Sequence, residues 1–115
     1  MLNENLNMEG SKVTEEAVLI YIKLSDSEFG TWDDREKCYA FEDALIEEFS
    51  KKQNIGELDG HEFGEGYCVL YIYGNSADHI YNSISPILSK ANLSPGSYVI
   101  IRFGGPGALE KRVKL

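Results

Sequence analysis

The sequence of 115 residues predicts an α+β fold. Three observations carry that reading. Nearly unbroken apolar runs at residues 17–24 (AVLIYIKL), 67–73 (YCVLYIY) and 97–103 (SYVIIRF) are rich in β-branched and aromatic side chains, as strands buried on most sides are. Two segments between them repeat apolar residues at helical spacing. The resulting order is strand, helix, strand, strand, helix, strand.

Residues 1–14 are polar and lack periodicity, so they are expected to form a flexible N-terminal tail before a single domain at 15–115. After the first strand, residues 25–32 form a loop that Gly30 interrupts. Thr31 and Asp34 are spaced as a capping box, and Asp33, Asp34 and Glu36 load the first helical turn with anions that the helix dipole favours. Cys38, Phe41, Leu45 and Phe49 then make one apolar stripe, with Ala44 beside it, and Lys51 and Lys52 close the helix. Residues 56–65 (GELDGHEFGE) are acidic and glycine-bearing, which suits a short edge strand entering a turn at 64–66.

Asn75 or Ser76 is the cap expected for the second helix, whose stripe is Ile80, Ile84, Ile87, Leu88 and Ala91. Pro86 lies within that stripe and predicts a kink. After the third rich strand, glycines at 104, 105 and 107 turn the chain. Residues 108–115 are then expected to return as an additional C-terminal edge strand. Two rich strands and a poor one at an edge fit a ferredoxin-like βαββαβ sandwich. In that fold an antiparallel sheet of order 4-1-3-2 carries two helices on one face.

Charge narrows the function classes. Residues 1–65 hold 17 Asp and Glu against 6 Lys and Arg, whereas residues 66–115 hold 2 against 5, within a total of −8. Such a balance opposes binding to nucleic acid or to an anionic membrane and favours a basic protein partner. No apolar run approaches the roughly 20 residues that cross a bilayer, and no signal peptide is evident at the start, so a cytoplasmic location is expected. Cys38 and Cys68 lie inside apolar patterns and read as reduced core thiols.

The predicted topology gathers Asp26, Glu28, Asp33, Asp34, Glu62 and Glu65 along one rim of the sheet. Like charges that close repel over a Debye length of roughly 8 Å, a strain that a cationic partner relieves. Asp59 joins them from the edge strand, and Phe29, Trp32 and Phe63 are the expected apolar anchors. Neither metal nor cofactor is expected, because no calcium-loop pattern is present. Asp59 and His61 share one face of a regular strand but need further ligands. No catalytic residue is assigned, since neither His61 nor His79 has a nucleophile in a recognisable turn. Glycines 104–107 lead into a strand pattern, unlike a phosphate cradle. The open sheet face, with Leu19, Tyr21 and Lys23 and then Tyr71 and Tyr73 or Tyr98 and Arg102, echoes the RNA-recognition motif. Glu65 and Val69, however, replace the basic and aromatic residues that motif needs.

The segments LSDSEFG (24–30), FED (41–43), DGHEFG (59–64) and LYIYG (70–74) resemble a family of small bacterial proteins without assigned function, over roughly residues 17–104. The resemblance implies the ferredoxin-like fold and carries no catalytic residues. In size, acidity and single-domain character the chain is also similar to immunity proteins of bacterial toxin systems, including contact-dependent growth inhibition. That likeness implies an inhibitor that neutralises a basic toxin domain, typically a nuclease, through its acidic surface. The alternatives are a homodimeric ferredoxin-like domain that binds a small molecule and, behind it, an RNA-binding domain or an enzyme.

Overall fold

The computed structural model describes residues 15–25, 28–52 and 54–115. The expected tail at 1–14 therefore lies outside the described residues. The elements run β1 (Glu16–Lys23), α1 (Trp32–Lys51), β2 (Glu57–Gly64), β3 (Tyr67–Gly74), α2 (Ala77–Ala91), β4 (Tyr98–Arg102) and β5 (Glu110–Lys114). They form an α+β fold with a five-stranded antiparallel sheet and two helices. The sheet order is β2-β3-β1-β4-β5, so the richest apolar runs lie inside it. Acidic β2 and basic β5 occupy opposite edges. Among the described residues no helix is long and apolar enough to cross a membrane.

Alternation sorts each strand. Val18, Ile20 and Ile22 of β1 share a buried cluster with Leu70 and Ile72 of β3 and Val99 and Ile101 of β4. Both helices lay their stripes on this face, α1 through Cys38, Phe41 and Leu45, α2 through Ile80, Ile84 and Leu88. Cys38 and Cys68 are free, buried thiols joined by a hydrogen bond and not by a disulfide. That bond, with burial, pushes the Cys68 thiol up and keeps it protonated.

Thr31 caps α1 in the expected box, its hydroxyl accepting from the Asp34 N–H while the Asp34 carboxylate accepts from the Thr31 N–H. Ser76 caps α2, and the Glu16 carboxylate reaches across from β1 to accept the Ala77 N–H at 2.7 Å. The β2–β3 hairpin turns on Glu65 and Gly66, both at positive φ (53° and 84°), the geometry of a type I′ turn.

α2 continues through its proline, and one expectation for β2 needs correction. Pro86 lies inside α2, which runs without interruption from Ala77 to Ala91. The proline removes the donor for the Asn82 carbonyl, but both residues are exposed, so water can satisfy that oxygen. On β2, Asp59 and His61 do not form a face of a regular strand. Leu58 pairs Ile72 and Gly60 pairs Tyr71, so Asp59 is the extra residue of a bulge, with Gly60 at φ 141°.

Where β2 begins beside the end of β3, two glycines meet. A Cβ on Gly74 would stand 2.8 Å from the Ile55 carbonyl and 3.1 Å from the Gly56 Cα. Gly74→Ala is expected to lower unfolding free energy by about 2 kcal/mol, because backbone must shift. Urea unfolding followed by circular dichroism checks this, and wild-type stability in the variant would contradict the close approach.

Candidate functional site

The two flanks of α1 differ. Its buried stripe faces the sheet, yet Trp32, Tyr39 and Ile46 recur every seven residues and therefore line up on one shoulder, about 10.5 Å apart along the axis. They are 76%, 38% and 50% exposed. Trp32 is too exposed to serve as a lid over the core.

The shoulder continues onto β2. Pairing of His61 with Leu70 and of Phe63 with Cys68 turns both side chains to the helix side of the sheet. The Tyr39 ring lies 5.5 Å from His61 and 6.0 Å from Phe63, and Arg35 stacks over Phe63 at 5.2 Å. His61 Nδ1 is 3.1 Å from a carboxylate oxygen of Glu42. An aromatic ridge thus joins α1 to the sheet edge.

Acids surround this ridge. α1 and β2 together hold ten of the chain's nineteen Asp and Glu but three of its eleven Lys and Arg, so the negative charge concentrates on this side. The backbone of Glu28 meets the Glu65–Gly66 turn at one end of the ridge. The Gly66 N–H donates to the Glu28 carbonyl at 2.9 Å and the Leu24 N–H to the Gly66 carbonyl at 2.9 Å, which fastens the loop before α1 to the hairpin turn. Phe29 in that loop is 52% exposed, and its carbonyl accepts from Arg35 Nε at 3.3 Å.

The expected acidic rim is only partly assembled. Asp26 lies outside the described residues. Glu28, Phe29 and Glu65 come together, with Phe63 linked to Phe29 through Arg35. Asp33, on the first turn of α1, has Lys37 at 3.4 Å in a fully solvated pair, which contributes little. Asp34 does not serve as a free surface charge. One of its oxygens accepts from the Ser25 N–H at 3.1 Å, the Ser25 hydroxyl at 2.7 Å and the Thr31 N–H at 3.0 Å. Glu62 departs from the rim because alternation places it on the open face, where the Tyr71 hydroxyl donates to it at 2.7 Å. That bond raises the Tyr71 hydroxyl to about 12. Asp59 is exposed at the bulge, toward the far end of β2.

Donation from Thr31 and Ser25 holds the Asp34 carboxyl at about 2, below its ordinary value of 3.8. A depressed folded value means this stabilisation is complete above about pH 4 and is lost as pH falls through about 2. Asp34→Asn is expected to flatten the decline in stability over that window, as read by urea melts between pH 5 and 2. An unchanged slope would show that the Asp34 bonds do not contribute to folding.

Sequence reasoning passed over Arg35, Tyr39 and Ile46, and weighed His61 only as a metal ligand or a catalytic group. The period of seven in Trp32, Tyr39 and Ile46 was the available signal, overlooked because the inner stripe already accounts for the helix. The open face offers less. Tyr98 is stacked on Tyr21 at 4.6 Å with Arg112 over it at 3.7 Å, Tyr67 is edge-on to both rings, and Lys23 lies over Tyr67 at 5.1 Å. These rings are engaged with one another and with the chain's own cations. Among the described residues no group of three His, Cys, Asp or Glu side chains is placed to hold a metal ion. Comparison with known proteins gives no family model, no curated relative and no solved structure that matches this chain.

Proposed function

We propose that this chain is a cytoplasmic, ferredoxin-like binding protein of the immunity type, which docks the shoulder of α1 and the β2 edge onto a basic toxin domain, a nuclease being the best fit. The observation that carries this reading is the alignment of exposed Trp32, Tyr39 and Ile46 within an acidic surround. Specific interfaces place aromatic anchors at the centre and charge at the rim, and an acidic rim steers a cationic partner into register. A 20-residue helix and an 8-residue strand each span roughly 25–30 Å, enough for an interface of standard size. As an edge strand, β2 also offers backbone donors and acceptors for strand addition.

The test is titration of the chain with the purified C-terminal domain of a toxin encoded beside it, read by calorimetry and by amide shift mapping. The reading expects a one-to-one complex whose footprint covers Trp32, Tyr39, Ile46 and β2, with an association rate that falls as salt rises. Absence of association, or a footprint on the tyrosine face of the sheet, would overturn it.

A further inference from the structure

The opposite flank of α1 borders a cleft that the docking proposal does not use. It lies between α1 and the C-terminal half of α2, over the end of β1, with a volume of about 630 Å³. Packed interiors hold few voids larger than a water molecule, whereas sites for small ligands run from about 300 to 1,000 Å³. Its origin is legible in the side chains. Ala40 and Ala44 of α1 and Ala91 of α2 present only methyl groups to the gap, so the helices leave space above Ile22, Leu24 and Phe41.

The mouth is cationic although the chain is acidic. Lys37 stands on one wall and Lys90 on the other, both exposed. Lys37 has only the solvated contact with Asp33, and among the described residues Lys90 has no carboxylate within ion-pair distance. Two other charged residues border the cleft. Lys23 directs its ammonium over Tyr67, on the open side of the sheet, and Asp34 is committed to Ser25 and Thr31. Those neutral donors leave Asp34 its negative charge, so the lining sets two ammonium groups, Lys37 and Lys90, against one carboxylate, a balance that still favours an anion.

We infer that this cleft binds a single-chain amphiphilic anion, a fatty carboxylate, with its tail on the apolar floor between the helices and its head group between Lys37 and Lys90. The tail covers apolar surface that water otherwise wets, and the two lysines favour an anion over an alcohol of equal length. This inference is independent of the docking surface, which lies on the other side of α1.

Sodium dodecanoate and dodecanol, each titrated into the full-length chain below the concentration at which it self-associates, test the proposal by calorimetry and amide shifts. Dodecanoate is expected to saturate at one per chain, with shifts at Ala40, Ala44, Ala91 and Leu93. Shortening it by two methylenes is expected to weaken binding about tenfold. The double variant Lys37→Gln/Lys90→Gln is expected to weaken dodecanoate about tenfold and leave dodecanol unchanged. Ala44→Leu fills the gap and is expected to abolish binding of both; the lysine variants, on the surface, decide the matter if it does not fold. Lack of saturable binding, shifts confined to the tyrosine face, or unchanged preference for the carboxylate in the double variant would each overturn the proposal. Overhauser contacts between Ala44 and residues 1–14 in the ligand-free chain would also overturn it, by assigning the cleft to the protein's own N-terminus.

Discussion

Leu45→Ala is expected to lower the free energy of unfolding by about 3–4 kcal/mol, while Ile46→Ala, one position along the same helix, changes it by about 0.5 kcal/mol or less. Leu45 is completely buried between α1 and the sheet, and removing its isobutyl group leaves a cavity that Ile20, Leu70 and Ile84, all 0% exposed, cannot collapse to fill. Ile46 is half exposed and lies on the same shoulder as Tyr39, two turns further along α1. Domains of this size are stable by roughly 5–15 kcal/mol, so the first substitution removes a large share and the second almost none. Urea melts followed by far-ultraviolet circular dichroism are the right measurement. Trp32, 76% exposed when folded, is expected to change its emission too little on unfolding to report it. Comparable losses in both variants would mean that α1 is rotated from the orientation described.

Much of this architecture is legible in the chain, and the reasons are local. Ile20, Ile22, Leu70, Ile72, Val99 and Ile101 belong to runs so apolar that interior strands are their natural place. Thr31 and Asp34 mark the start of α1 because a hydroxyl and a carboxylate three residues apart satisfy donors that a helix end leaves open. The basic residues 110–114 read as an edge strand, and they form one beside β4.

What escaped depends on geometry that spacing does not encode. A single extra residue at Asp59 resets the alternation of β2, placing His61 and Phe63 against α1 and Glu62 on the other face. The carboxylates of Asp34 and Asp33 look alike in sequence. Only the position of Ser25, brought close by the loop at the end of β1, shows that the first is occupied and the second solvated. Ala40, Ala44 and Ala91 read as ordinary members or neighbours of apolar stripes. That they face each other across a gap depends on how far the helices stand apart, which is a tertiary property.

Trp32→Ala is expected to weaken binding of the basic partner by at least about 2 kcal/mol, roughly thirtyfold, without a measurable change in stability. The two halves of that expectation have separate physical grounds. Stability is spared because the indole makes little contact with the folded chain, so truncation leaves no cavity. Binding suffers because a large, exposed aromatic side chain buries more apolar area on docking than any other single group on the shoulder. Reversing Glu36 and Asp43 to Lys should act differently. These acids flank the ridge, and their reversal slows association at low salt while an effect screened by added salt becomes smaller. The pair of experiments separates anchor from steering: the tryptophan variant acts chiefly on dissociation, the charge reversals on association. Wild-type affinity in Trp32→Ala, together with salt-independent association, would remove the α1 shoulder as the docking surface.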